Sequence, residues 1–261
     1  AITSCTVTGL QPGTVYWINV FARNSAGTTA YDDGESGLGT GLWNPVHNWA
    51  FEDNLTDSGP DAWTDAPWGD VVAGGVPGFS SSTAKVGASS LICTSGDCNY
   101  SLGAGKTLPA EFTLSMWIYM TDDAMAAPVP LFLNTNTVNC NTNNDSKFTF
   151  GIVAGGNILR FFVADGFESS CLSGGTGSAT MAKDNWHQVA IVYSQSAAKL
   201  WGYVDGSVDI NGMNVPSIDL AGPFLLTNDA SAGFSGFVDS LRIYDHAFTA
   251  AQALTLYTDE N

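Results

Sequence analysis

Gly236-Phe237-Val238-Asp239-Ser240-Leu241-Arg242-Ile243-Tyr244-Asp245 is the stretch on which the reading of this chain turns. In a strand every second residue shares one face. Phe237, Leu241 and Ile243 share one parity, and Asp239 shares it with them. With Leu241 and Ile243 facing a core, strict alternation turns Asp239 inward as well. A lone buried carboxylate is costly and needs donors or a cation. Far upstream lies a second acidic stretch, Trp49-Ala50-Phe51-Glu52-Asp53-Asn54-Leu55-Thr56-Asp57-Ser58-Gly59.

Strand patterns fill the sequence between the two. Within 111–120, Phe112, Leu114, Met116, Ile118 and Met120 fall on one face. Phe148, Phe150 and Ile152 repeat the pattern, as do Leu159, Phe161 and Val163, and then Val189, Ile191 and Tyr193. Gly-, Asn- and Ser-rich turns separate these runs, so from His47 onward the pattern predicts an all-β sandwich. The one helix expected is terminal, with Thr249 as N-cap before Ala250-Ala251-Gln252-Ala253-Leu254-Thr255-Leu256-Tyr257.

Composition narrows the function classes. The chain has 261 residues and 44% hydrophobic content, enough for a packed core. It carries 25 acidic against 8 basic residues, a net charge of -17. That balance argues against nucleic acid and against anionic membranes. No apolar run reaches the length of a membrane span, so no membrane insertion is expected. The sequence opens at Ala1 without a leader, which reads as a processed product or a piece of something longer.

The five cysteines, Cys5, Cys93, Cys98, Cys140 and Cys171, lack zinc-site spacing and read as disulfides of an extracellular protein. Proximity pairs Cys93 with Cys98 and Cys140 with Cys171, and leaves Cys5 needing a partner elsewhere. Asn54, Asn99 and Asn144 head Asn-x-Ser/Thr triplets, glycan acceptors in a eukaryotic secretory pathway.

Taken in order, the two acidic stretches and the runs Phe112-Thr113-Leu114-Ser115-Met116-Trp117-Ile118, Trp186-His187-Gln188-Val189-Ala190-Ile191-Val192-Tyr193 and Leu200-Trp201-Gly202-Tyr203-Val204-Asp205-Gly206 resemble a laminin-G-like domain of the concanavalin A-like class. The resemblance implies a jelly-roll β-sandwich of two antiparallel sheets with a short C-terminal helix, over residues 41–261. It places Trp117, Trp186 and Trp201 in the core and gives His187 a packing role. It also implies a structural Ca²⁺ held by Asp239 with first-strand acids, for which Glu52, Asp53 and Asp57 are the candidates. Hard oxygen donors suit that ion. Hydrogen bonds from the backbone or Arg242 are the alternative for Asp239.

Residues 1–40 read as a separate piece and a Gly- and Asp-rich linker. Gly9-Leu10-Gln11-Pro12-Gly13-Thr14-Val15-Tyr16 and the turn Asn24-Ser25-Ala26-Gly27-Thr28 resemble the last strands of a fibronectin type III domain. Two or three strands are too few to stand alone. They are expected to lean on the following domain, on missing residues, or on a neighbouring copy in a homo-oligomer or filament.

Catalytic signals are thin. Glycanases of this architecture place acid and nucleophile close together on one strand, and no glutamate here begins such a pattern. Trp63 and Trp68 sit in Asp61-Ala62-Trp63-Thr64-Asp65-Ala66-Pro67-Trp68-Gly69-Asp70, aromatic rings beside carboxylates. Rings can cover the apolar face of a sugar while carboxylates take its hydroxyls; the same rings could instead plug the edge of the sandwich. The expectation is a non-catalytic extracellular or cell-surface recognition module for a glycan or an extracellular protein. A structural subunit of a filament, sheath or wall is the rival, and a glycan-degrading enzyme domain comes third.

Overall fold

The computed structural model describes residues 20–24, 27–32, 44–62, 78–93, 100–101, 106–121, 129–134, 148–153, 157–163, 173–215, 218–222, 224–226 and 234–260. The chain divides into two compact units, Ala1–Trp43 and Asn44–Asn261. In the first, β1 (Val20–Asn24) and β2 (Gly27–Asp32) pair antiparallel, from Val20 opposite Asp32 to Asn24 opposite Gly27.

The second unit holds β3 (His47–Trp49), β4 (Gly78–Ser80), β5 (Ser90–Cys93), β6 (Tyr100–Ser101), β7 (Glu111–Met120), β8 (Val129–Leu133), β9 (Phe148–Val153) and β10 (Ile158–Val163). It continues with β11 (Ser173–Thr180), β12 (Trp186–Ser194), β13 (Lys199–Val204), β14 (Ser207–Asn214), β15 (Leu225–Leu226), β16 (Gly236–Tyr244) and the helix α1 (Ala250–Glu260). Among the described residues these strands form two antiparallel sheets. The larger runs β14-β13-β12-β7-β16-β5-β4, with β3 also paired to β16; the smaller runs β11-β10-β9-β8-β15-β6. This is the all-β sandwich the pattern predicts, in the jelly-roll form the resemblance implies.

Alternation places the core between the sheets. Phe112, Leu114, Met116, Ile118 and Met120 of β7 are all buried there, with Val189, Ile191 and Tyr193 beside them on β12. The smaller sheet contributes Phe148, Phe150, Ile152, Leu159 and Phe161. Phe112 and Phe148 bridge the two layers with ring centroids 6.2 Å apart, and Phe148 lies 5.9 Å from Phe161. Each such ring withdraws enough apolar surface to contribute about 1.5–3 kcal/mol.

One side of the sandwich closes where β11 meets β14. Asp209 of β14 accepts hydrogen bonds from Ser178 N at 2.7 Å and Ala179 N at 2.8 Å. A side chain at Gly177 would collide with the Asp209 carboxylate, so glycine is required for that approach.

The outer face of the larger sheet is covered at its centre. Beyond β16 the chain turns back, with Thr113 Oγ1 donating to His246 O at 2.9 Å and accepting from Phe248 N at 3.0 Å. Then α1 lies over the sheet. Thr249 caps it as expected: Thr249 N donates to Gln252 Oε1 at 2.8 Å while Gln252 N reaches Thr249 Oγ1 at 3.3 Å, a capping box. The helix runs to Glu260, three residues past the expected end.

This cover corrects the placement of the tryptophans. Trp117 is only 1% exposed, yet it lies on the outer face beneath α1, not between the sheets. Its ring is 5.7 Å from Tyr257, its Nε1 donates to Glu260 Oε2 at 2.6 Å, and Lys85 Nζ sits 4.3 Å from its ring centre. Glu260 also accepts from Gln188 Nε2 and pairs with Arg242. Trp186 and Trp201 are half-buried, so neither is a core residue. A helix laid on one face makes buried aromatics possible on both sides of a strand, which alternation alone does not reveal.

Candidate functional site

Two features of the larger sheet stand out. The first is built around Asp239, which is fully buried. Its neighbours on β16 do not follow strict alternation. Asp239 pairs with Trp117 and Arg242 with Ser115, so β16 carries one extra residue between these pairs. Ser240 takes up the bulge with φ +51°. Val238, Leu241 and Ile243 therefore face the core, while Asp239 lies on the Trp117 side. The expectation that Asp239 points inward with Leu241 and Ile243 is overturned by that single bulge.

Asp239 Oδ2 accepts hydrogen bonds from Lys85 N at 2.9 Å and Val86 N at 3.0 Å, but Oδ1 is buried without a hydrogen-bond partner. Burial pushes the carboxyl up to about 6, with the Glu52 charge adding to the rise and the backbone donors opposing it. Glu52 is turned to the same segment, its carboxylate 3.0 Å from Ala88 N. Gly87, at φ +73°, leaves room for that carboxylate where a side chain would strike it. Asp53 Oδ1 accepts from Ser89 Oγ at 2.8 Å. Phe51 and Asp53 flank Glu52 at φ 57° and 55°, a left-handed conformation costly for non-glycine residues. Burial of the Phe51 ring holds this turn in place.

The structure thus brings Glu52, Asp53 and Asp239 to one short segment, Lys85–Ser89. Asp57 goes elsewhere: its carboxylate lies 2.8 Å from His47 Nδ1 and accepts from Asn48 N and Gly59 N. Among the described residues no group of three or more His, Cys, Asp or Glu is gathered tightly enough to hold a metal by itself. Sequence reasoning missed Lys85–Ser89 because the segment acts here through backbone N–H groups and one serine hydroxyl, which leave no charge signature.

The second feature is a row of half-buried aromatics on the outer face, at the end of the sheet where β7 finishes. Trp186 of β12 pairs with Tyr119 of β7, and Tyr119 with Phe237 of β16. The ring centroids are 5.5 and 5.6 Å apart, both edge-on. Asp184 N donates to Met120 O at 2.9 Å, which ties Asp184 to the end of β7, and its side chain is 57% exposed. Nearby, His187 Nδ1 is 2.8 Å from Asp205 Oδ2 and Nε2 is 3.1 Å from Ala182 O, so His187 ties the β13–β14 turn to β12. Sequence reasoning missed this row: it set Trp186 in the core and Phe237 on the parity of Leu241 and Ile243, and it lacked the extent of α1, which decides which outward rings stay uncovered.

Trp63, Trp68, Cys5, Cys98, Cys140, Cys171, Asn99 and Asn144 lie outside the described residues. Cys93 is disulfide-bonded. Asn54 is exposed, its side chain folded into a local turn that accepts from Thr56 N at 2.9 Å. Among the described residues no helix is long and apolar enough to cross a membrane.

A sandwich of this topology, with the C-terminal helix on the larger sheet, defines a lectin-like β-sandwich class. The concanavalin A-like lectin/glucanases family model matches residues 94–253, more than half of the sequence, and the chain belongs to that superfamily. No curated protein matches it by sequence. The fold is similar to domain 4 of an extracellular arabinanase from Geobacillus stearothermophilus, solved with arabinotriose. There the TM-score is 0.60 at 18% identity, covering 82% of this chain and 98% of that one. It is also similar to the binding domain of Paraclostridial Mosquitocidal Protein 1, with TM-score 0.57 at 14% identity, covering 83% and 52%. The Ruminococcus gnavus sialidase module solved with α2,3-sialyllactose gives 0.50 at 12% identity, covering 64% and 96%.

Proposed function

We propose that this chain is a non-catalytic glycan-recognition module that works outside the cell. The observation that carries the reading is the half-buried row Trp186–Tyr119–Phe237, with the exposed Asp184 tied by its backbone to the end of β7. The fold needs these rings less than it needs Trp117. Aromatic faces cover the C–H face of a pyranose or furanose ring, and a carboxylate accepts its hydroxyls. Membership of a lectin-like superfamily supports the reading. The described glutamates do not contradict it, since Glu52, Glu111 and Glu260 are each tied to separate backbone or side-chain donors. Titration of the full chain with an array of oligosaccharides tests it. Loss of Trp186 should weaken binding at least tenfold, the effect of removing a central aromatic anchor. An intact Trp186→Ala protein that binds sugar as the parent does removes the row from the site.

A structural Ca²⁺ belongs to the same reading. Asp239 and Glu52 are the residues that would hold it, with Asp53 beside them. The fit rests on the buried, unpartnered Asp239 Oδ1 and on the unfavourable closeness of the Glu52 charge. Carbonyl oxygens and water would complete the shell. The ion would neutralise the two carboxylates and fix the Lys85–Ser89 segment against β16. Elemental analysis of the purified protein and its melting with and without chelator test this.

On the same reading Cys93–Cys98 and Cys140–Cys171 are the disulfide pairs, which a non-reducing peptide map decides. The β1–β2 hairpin is then the tail of a fibronectin type III unit.

A further inference from the structure

We infer that the glycan recognised by the Trp186–Tyr119–Phe237 face is one without carboxylate, sulfate or phosphate groups. The inference rests on the proposed sugar-binding role and adds its substrate class. Recognition of an acidic sugar calls for a guanidinium fork or a cluster of lysines aimed at the anion. Among the described residues this face offers the opposite. Arg242, on the same side of the sheet, is committed to Glu260. Lys85 lies over the Trp117 ring. Lys199 Nζ is bonded to Gly212 O and Asn214 Oδ1, both at 2.9 Å. Lys183, three residues before Trp186, sits 4.0 Å from the Asp184 carboxylate, which offsets its charge. Asp184 is more exposed than Lys183 and is tied to the end of β7. Around the site the whole chain carries a charge of -17, a field that repels anions and is screened by salt.

The fold by itself does not impose this choice, since the related sandwich from Ruminococcus gnavus was solved with sialyllactose. Charge on the face makes the distinction. The test is an array that presents each uncharged glycan beside its sialylated, uronic or sulfated counterpart, with lactose against α2,3-sialyllactose and arabinotriose included. Binding is read at low and at physiological ionic strength. The uncharged member of the bound pairs should bind at least tenfold more tightly at low salt, and the gap should narrow as salt is added. Asp184→Asn keeps an acceptor and a residue tolerant of the left-handed φ at this position. It should narrow the gap further, because removing the charge weakens the repulsion of the acidic member alone. Equal or tighter binding of the acidic member overturns this inference and leaves the sugar-binding reading intact. Binding of no glycan in either set overturns the reading itself.

Discussion

Trp117 and Trp186 lie on the same face of the same sheet, on adjacent strands, and the protein treats them in opposite ways. Trp117 is sealed beneath α1, its indole N–H satisfied by Glu260 and its ring covered by Tyr257 and Lys85. Trp186 sits one row further along, past the helix end, and stays half-buried with Tyr119 and Phe237. A ring that a fold uses for stability is enclosed and its polar atom paired. A row that the fold leaves partly open keeps surface for something else. The contrast separates stability from recognition within one sheet face, and four measurements can break or sharpen it.

The largest effect expected is on stability at the covered end. Trp117→Ala removes a fully buried indole and one of the donors to Glu260, and should cost about 3–5 kcal/mol in denaturant unfolding. Trp186→Ala should cost about 1.5 kcal/mol or less by the same measurement. Comparable losses at the two sites would erase the distinction.

Next comes Asp239, on the Trp117 side of β16. Its carboxyl is raised from 3.8 to about 6, so the folded state holds the proton more tightly than the unfolded chain does. That contribution is fully present below the unfolded value and is lost as pH rises through about 6. Cation-free protein should therefore lose roughly 3 kcal/mol of stability between about pH 4 and pH 7 from this group. Ca²⁺ competes with the proton, so its stabilisation should appear over the same rise, about 2.7 kcal/mol at a hundredfold excess over its dissociation constant. Asp239→Asn should flatten the pH dependence and abolish the chelator-sensitive shift in melting. A wild-type melting curve indifferent to both pH and chelator in that window would discard the cation site.

At the open end the readout is binding. Phe237→Ala and Tyr119→Ala should each weaken sugar affinity by about tenfold, or 1.4 kcal/mol, with unfolding midpoints that move less than for Trp117→Ala. If only Trp186 matters, the row is not a platform, and the ligand meets a single ring.

The two ends were unequally legible in the sequence. Period-two alternation placed Phe112 through Met120 on the core face, and Thr249 announced the helix, because both signals are local. Asp239 was found by its chemistry and misplaced by its parity, since one left-handed Ser240 resets every side chain before it relative to those after. Lys85–Ser89 left no trace because backbone amides have no letter in the sequence. Trp117 and Trp186 look alike in a strand pattern, and only the three-dimensional reach of α1 tells them apart.

The smallest effect expected is also the sharpest test of independence. Thr249 and Gln252 cap the helix that covers Trp117, at the end opposite Glu260. Thr249→Ala deletes the hydroxyl that Gln252 N reaches and should cost about 1 kcal/mol. Fraying at that end releases Phe248 and the first turn of α1 before it reaches Glu260, so hydrogen exchange should speed up at Ala253 N, bonded to Thr249 O, more than at the Trp117 indole. Sugar affinity should stay at the wild-type value, because Trp186, Tyr119 and Phe237 are held by strand pairing and not by the helix. A drop in affinity that tracks the loss of stability would mean that the helix organises both ends of the face, and that cover and recognition are one device.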